Sequence, residues 1–535
     1  MTCGAPPALS PARRTDNLRR LREETFDVLI VGGGINGAGI ARDLALRAAA
    51  SGAQLRIGLV EQRHFASGTS GRNSQLIHGG LRYLKQLQFG LVKEALEERA
   101  TLLRIAPHLV EPLPFLVPMY GVWARAYYGA GLLLYDLLAG RHNLGRSRFL
   151  SREQVRSVEP GLSGDGLHSA GLFWDCRVES ARLVLANIAD AARMGVAAAN
   201  YARAQAWKRE GELWRVEVAD ALGGDVFPVR ARKLVDARGP WEGSAALRLV
   251  RGSHIVLPRV NAGGHVIAHF GADGRILFII PWGPGDALSL VGTTDVDHAG
   301  GADQAAVSGD EVRYLLAIVR GLFPRAEHME PIAAYSSLRP LVASGAASPT
   351  SASREHRIWN SPDGVLHVGG GKYTTYRRMS EQAAGMVCGE IAPELARGCQ
   401  TAQTPIGGNT HQEIAALREQ APEMAARHGL ETEEVAGAIR LYGVEAPRLF
   451  AMAPESPADG LGRLELARIA WAVEHEMAHR LADLLFVSTY WGYHQPPTEV
   501  RFAPAAAAMG RLLGWDAARR EREIALAVTI AALPR

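Results

Sequence analysis

Apolar residues run unbroken through VLIV (28–31), meet three glycines, then recur at helical spacing through INGAGIARDLALRAAA. A short buried run, a glycine turn and an amphipathic run predict a strand, a tight turn and a helix. The stretch LRIGLVEQ at 55–62 predicts the next buried strand, and the three elements make a βαβ unit. From 91 to 106, Leu91, Val92, Ala95, Leu96, Leu102, Leu103 and Ala106 recur at helical spacing, predicting one amphipathic helix packed on that unit. Between about 200 and 300, several of the stretches LWRVEVAD, KLVDARG, SHIVLPRV, HVIAHF, RILFIIPWG and LSLVGTTDV alternate in polarity. They predict an antiparallel sheet with one solvated or ligand-facing side. GVLHVGGGKYTTYRRMSEQAAGMV returns to strand, glycine turn and helix. After about residue 400 and the loop TPIGGNT, Ala-, Glu- and Arg-rich segments predict a C-terminal helical domain, 401–535. Residues 1–23 carry Pro and Arg and read as a partly disordered extension ending in a short basic helix, NLRRLREE.

The totals change this picture little. A chain of 535 residues is long enough for two or three domains. At 47% hydrophobic and 21% charged it has the composition of a soluble globular protein. A net charge of +4 gives no reason to expect a nucleic-acid partner. Cys3, Cys176, Cys388 and Cys399 lack CxxC spacing, which speaks against a disulfide scaffold, a zinc site or a redox dithiol and for a reducing compartment. Arg13-Arg14 is followed by no apolar segment of the kind an export signal needs. The greasiest stretch, FLVPMYGVWARAYYGAGLLLYDLLAG at 115–140, is broken by Pro118, Arg125 and several glycines. It is too interrupted to span a bilayer but has enough aromatics to rest on one.

The candidate chemistry begins at Gly32-x-Gly34-x-x-Gly37, set between a strand and a helix. The first glycine permits the tight turn, the second lets a pyrophosphate approach the backbone, and the third lets helix and strand pack closely. The helix N-terminus then offers N–H groups to the phosphates. Glu61, at the end of the second strand, is placed to accept from ribose hydroxyls, beyond a connection lengthened by RAAASGAQLR. A second phosphate-friendly stretch, SGTSGRNSQ at 67–75, offers Thr69, Ser70 and Ser74. A third loop, HVGGGKYTTY at 367–376, offers Gly371, Lys372, Thr374 and Thr375. With Gly239, these three loops spread over the chain favour FAD extended through the fold above a free nicotinamide dinucleotide.

The motifs FDVLIVGGGINGAGIARD, ASGTS, LIHGGLRYL, APHL, ESARLVLANIADAARMG, RGSHIVLPR, FIIPWG, VGTTD, LRPL and GGGKYTTYR occur in order. In them the chain resembles the FAD-dependent glycerol-3-phosphate dehydrogenases of the quinone-linked, aerobic kind, strongly over residues 25–410 and more loosely beyond. The resemblance implies an α/β fold: a glutathione-reductase-like FAD-binding Rossmann domain, an inserted antiparallel-sheet substrate domain and a helical C-terminal domain. FAD-binding segments would lie at about 24–100, 180–250 and 345–400, and the substrate domain at about 101–179 and 251–344. It implies oxidation of sn-glycerol 3-phosphate to dihydroxyacetone phosphate, with electrons passed to membrane quinone by a cytoplasmic protein held peripherally on the inner face of the membrane. A homodimer is a further possibility.

In that arrangement His78, Arg82 and Tyr83 line the substrate side of the flavin, and Gly79 and Gly80 let the chain pass close to the ring. A phosphate monoester carries roughly −1.5 to −2 charge near neutrality. Arg and Lys side chains match it, and Arg82, Arg339, Arg354 and Lys372 are the candidates. Oxidising a secondary alcohol needs an acceptor for the hydroxyl proton, and histidine suits that task. His254 and His78 both qualify, and the sequence does not separate them. Arg339 would stabilise the alkoxide-like charge. His356 and His367 stand in no motif. The chain departs from the family pattern at Gln75, Arg238, Ser337 and Val487-Ser488. Three other readings remain: a soluble oxidase returning electrons to oxygen, a non-catalytic flavin-binding assembly protein, and an amino- or hydroxy-acid dehydrogenase.

Overall fold

The computed structural model describes residues 6–243, 247–271, 274–342 and 355–534. Its first sheet is built on the strand Thr25–Val31, which pairs in parallel with Ile57–Val60 on one side and Val226–Asp236 on the other. Leu366–Gly370 and Ala197–Ala199 extend the parallel set outward. These strands are almost wholly apolar because helices cover the sheet. The helix Ile35–Ser51 packs on the helices Ser180–Arg193 and Tyr376–Ile391. Gly37 makes the first of these helices possible: a Cβ there would lie 1.9 Å from the carbonyl oxygen of Gly32.

The second sheet crosses beside the first. One long pairing joins Leu247–Pro258 to Ala333–Val342, and the sheet continues through Leu288–Gly292, Ile276–Trp282, Val266–Phe270, Val110–Tyr120 and Leu167–Val178. The pairing is antiparallel except where Val266–Phe270 runs parallel to Val110–Tyr120. The strand-rich middle of the chain does not all belong here. LWRVEVAD and KLVDARG join the first sheet, because Val226–Asp236 is long enough to pair with Leu213–Asp220 over its first half and Thr25–Val31 over its second. Alternation in LWRVEVAD reflects a small separate core of Trp214, Val216 and Val218 with Leu18, Leu21 and Phe227. Polarity alternation reports a half-buried strand and carries no information about which sheet it joins.

The helix expected at the end of the N-terminal extension starts earlier, at Pro11, and runs to Glu23. Its polar residues are used inward as well as outward. Arg14 pairs with Asp220 at 2.6 Å, and Asn17 donates to the carbonyl of Ala198 at 2.8 Å. From His411 onward the chain is helical through Ala531 with short turns between. Tyr490 ties this region to the rest: its hydroxyl donates to the Gly71 carbonyl at 3.0 Å and accepts from the Ala181 N–H at 3.1 Å. The amide of Gln75 lies 3.3 Å from the same hydroxyl. The family departure at Gln75 is thus a neutral side chain in a buried junction, where its carbonyl also accepts from Ser180 N–H and Oγ.

Replacing Tyr490 by Phe removes a buried hydroxyl and leaves its partners without their bonds. A cost of about 1–3 kcal/mol is expected. It would read as a lower melting temperature of the flavin-loaded protein, with substrate affinity close to wild type.

Candidate active site

The cavity opens at the C-terminal ends of the parallel strands, where the two sheets meet, the usual place for a ligand in an open α/β sheet. Gly32 and Gly34 line it beside the start of the helix Ile35–Ser51. Gly32 has φ of 115°, and a Cβ there would meet the Ala237 carbonyl oxygen at 2.6 Å. Ser70 Oγ accepts from the N–H of Ile35 at 2.9 Å, so it orders the helix N-terminus against the cavity. Glu61 accepts from Gly33 N–H at 2.6 Å and Arg63 N–H at 2.9 Å. Burial pushes its carboxyl above the usual range in spite of those bonds. Thr69 lines the wall and donates to the Leu338 carbonyl at 2.6 Å. Gly239 and Gly371 complete it with φ of 59° and 81°. A backbone cradle at a helix N-terminus, with a buried carboxylate at the end of the second strand, fits the diphosphate and ribose of a flavin dinucleotide.

His78, Tyr83, His254, Arg339 and Lys372 stand on the same wall. Arg82 lies in the short helix Leu81–Gln86, but its side chain, like Arg354 as a whole, lies outside the described residues. Lys372 Nζ sits 3.8 Å from the centre of the Tyr83 ring, a cation–π contact. Arg339 is fixed on three sides: Nη1 donates to Asp295 Oδ1 at 2.8 Å and to the Thr294 carbonyl at 3.0 Å, and Nη2 to Thr293 Oγ1 at 2.8 Å. His254 is 1% exposed, with Nε2 2.8 Å from Ser74 Oγ, while Nδ1 has no hydrogen-bond partner. Burial, then the nearby Arg339 charge, lowers its pKa to about 3, so the imidazole is neutral. Ser74, expected to contact cofactor, is engaged with His254.

The glycines of LIHGGLRYL are crowded by protein neighbours as well. A Cβ on Gly79 would lie 2.3 Å from the Tyr135 hydroxyl and 2.5 Å from Leu96. The Gly79 N–H donates to the Tyr135 hydroxyl at 3.0 Å and to Asp175 at 3.2 Å, and Asp175 also pairs with Arg99 at 2.6 Å. A buried polar knot thus holds the histidine loop from behind. Gly80, φ 81°, is tight against Tyr83 and Lys372. Thr374 stands behind the wall as well, accepting from His78 N–H at 3.2 Å and donating to its carbonyl at 3.3 Å. Thr375 donates to the Lys372 carbonyl at 3.4 Å. Gly37 packs helix on strand.

Several residues that matter were not singled out from sequence. Thr293 and Asp295, which hold Arg339, sit in the quoted stretch VGTTD. Gly252 and Gly292 make room: a Cβ on the first would lie 2.2 Å from the Arg339 guanidinium, and on the second 2.2 Å from the His254 ring. Tyr335 stacks on His254 with centroids 5.1 Å apart, Tyr493 packs on Tyr335 at 4.9 Å, and Phe486 on Tyr493 at 4.9 Å. The family motif was the available signal for the first group. For the aromatic column, which joins distant parts of the chain, there was none.

The depressed pKa of His254 makes stability pH-dependent. An unfolded histidine takes a proton near pH 6.5, whereas folded His254 takes one only near pH 3. Between those values the unfolded chain binds the extra proton, so stability falls as pH drops through this window. The His254 contribution to that slope is about 1.4 kcal/mol per pH unit at most. Melting temperature followed from pH 7.5 to pH 5 should fall less steeply in His254→Gln than in wild type.

Comparison with known proteins agrees with this architecture. A family model described as FAD dependent oxidoreductase matches residues 27–377, and one described as the C-terminal domain of alpha-glycerophosphate oxidase matches residues 399–520. "Glycerol-3-phosphate dehydrogenase 2" of Mycobacterium bovis is 34% identical over 539 residues, covering 97% of this chain and 90% of its own. "Alpha-glycerophosphate oxidase" of Streptococcus pneumoniae is 30% identical over 592 residues, covering 95% of each chain. The solved glycerol-3-phosphate dehydrogenase of Bacillus halodurans, complexed with FAD, has a TM-score of 0.80 at 24% identity and covers 98% of this chain and 99% of its own, a likeness of fold. FAD is the cofactor implied by family and cradle alike. The chain belongs to the FAD-dependent oxidoreductases, with relatives among the glycerol-3-phosphate dehydrogenases and α-glycerophosphate oxidases.

Proposed function

We propose that the protein oxidises sn-glycerol 3-phosphate to dihydroxyacetone phosphate. The observation that carries this reading is a neutral, buried His254 beside a fixed Arg339 on the wall of the cofactor cavity. Bound FAD supplies the hydride acceptor. His254 is the candidate acceptor of the substrate hydroxyl proton through Nε2 and the Ser74 hydroxyl 2.8 Å away, on the cavity side, since its Nδ1 is closed off by burial. His78, on the same wall, is the alternative acceptor. Arg339 meets the negative charge that develops on the oxygen, from a position that Asp295 and Thr293 hold before substrate arrives. Lys372 and Tyr83 form the adjoining wall. Arg82 and Arg354 are assigned to the phosphate by family resemblance.

An anaerobic stopped-flow measurement of flavin absorbance tests the assignment. Glycerol 3-phosphate should bleach the flavin and glycerol should not. Arg339→Ala should slow bleaching about 10²-fold or more. Bleaching by an unphosphorylated amino or hydroxy acid in preference would remove the reading.

For the electron acceptor we propose membrane quinone, reached from the cytoplasmic face by peripheral binding. No helix among the described residues is long and apolar enough to cross a membrane. The helix Val122–Ala139, however, turns Trp123, Tyr127, Leu133 and Leu137 outward, with Trp123 87% and Leu137 76% exposed. Leu87 and Phe89, near the short helix that contacts it, are exposed as well. An apolar helix face with Arg125, Arg141 and Arg148 exposed close by in sequence suits an anionic lipid surface. The relative named as an oxidase favours the second reading, oxygen as acceptor. Trp123→Glu with Leu137→Glu should abolish sedimentation with anionic vesicles and reduction of a bilayer quinone, leaving turnover with a soluble dye unchanged. Stoichiometric peroxide and indifference to quinone would favour oxygen.

A further inference from the structure

We propose that Asp236, Glu242 and His367 form a binding site for a divalent metal ion of the zinc class, at the edge of the flavin cavity. Asp236 is the last residue of Val226–Asp236 and lies in register with His367 on the neighbouring parallel strand. Glu242 follows the short turn Gly239–Trp241, whose residues line the cavity. One ligand atom from each residue falls within 4.8 Å of the other two. The side chains are 0%, 2% and 15% exposed for Asp236, Glu242 and His367.

The contacts among them are close without being good hydrogen bonds. His367 Nδ1 lies 2.9 Å from Glu242 Oε1 and 3.5 Å from Asp236 Oδ2. By strict geometry Nδ1 and both Glu242 oxygens lack a well-aligned hydrogen bond. The close Glu242 carboxylate raises the proton affinity of His367, so a metal would bind here in exchange for that proton. A carboxylate buried to this degree with neither oxygen hydrogen-bonded is costly. A shared cation removes the cost. With tetrahedral zinc and bonds of about 2.0–2.2 Å, neighbouring ligand atoms stand roughly 3.4 Å apart. The Asp236–His367 separation already has that value, and a small rotation of Glu242 supplies the other.

The surroundings match an outer shell. Arg238 donates to Asp236 through Nε at 2.9 Å and Nη2 at 2.6 Å, orienting the carboxylate while leaving lone pairs for a cation. Trp359 stacks on His367 at 5.2 Å between centroids and 13° between planes, which fixes the imidazole. One nitrogen and two carboxylates, with no thiolate, suit zinc, cobalt or manganese. A metal there would fasten the loop carrying Gly239 and Trp241 to the strand that leads into Gly371 and Lys372, and so brace one rim of the flavin cavity.

The test uses flavin-loaded protein, stripped with a chelator and titrated with Zn²⁺ by calorimetry. Wild type should bind one saturable equivalent. Glu242→Gln, which keeps the side chain's shape, and His367→Ala should each weaken binding at least about tenfold. His356→Ala, on the adjacent strand and paired with Gln382, should not. X-ray absorption of the zinc-loaded protein should show nitrogen and oxygen neighbours and no sulfur. No saturable equivalent, unchanged affinity in Glu242→Gln, or sulfur in the shell would overturn the site and leave an imidazolium–carboxylate cluster.

Discussion

The ion pair between Arg339 and Asp295 is the constraint on which the site depends. A guanidinium cannot be left in a largely desolvated wall without a partner, and it cannot act on a substrate if its partner uses every donor. Asp295, Thr293 and the Thr294 carbonyl hold it in place, and Gly252 leaves space where any Cβ would collide with it. Held there, its charge adds to burial in keeping His254 neutral. One fixed cation thereby reinforces the neutrality that burial imposes on its neighbour and gives the cavity a positive wall. That combination suits an anionic alcohol.

The two sheets divide the work. The parallel sheet provides strand ends and a helix N-terminus, and these meet a cofactor through backbone groups. The antiparallel sheet carries His254 and Arg339 to the same wall on paired strands, Leu247–Pro258 and Ala333–Val342. The helical C-terminal region supports this arrangement from outside. Tyr493 backs Tyr335, which backs His254, and Tyr490 closes the junction with Gln75 and Gly71. Val487 and Ser488, where the family pattern is broken, are buried within this support. Their position places that departure in the buttress and away from the cavity wall.

Much of the site was legible because its chemistry needs backbone freedom at fixed spacing. Gly32, Gly34 and Gly37 declare their turn in a few residues, and the strand before and the helix after confirm it locally. His254 and Arg339 were legible only through the family motifs, since single polar residues on strands have bland explanations. Other residues carry duties that the sequence did not show. Thr374 bonds the His78 backbone, and Gly79 gives room to Tyr135 and Leu96. Alternation in LWRVEVAD showed a strand, which pairs antiparallel with both its neighbours, but period two is the same in either sheet and could not say which one holds it. His367, in no motif, stands among three charged side chains, Asp236, Arg238 and Glu242, drawn from the end of a neighbouring strand and the turn after it.

By itself the sequence determined the local elements, the dinucleotide turn and the kinds of side chain available to a phosphorylated substrate, because each is encoded within a window of a few dozen residues. Tertiary structure decided which of those side chains share a wall, which are spent on structural bonds, and which polar groups lose water. Burial and pairing are properties of neighbours far apart in the chain. They set the neutrality of His254, the fixation of Arg339 and the crowding around His367, and no local pattern of residues carries them.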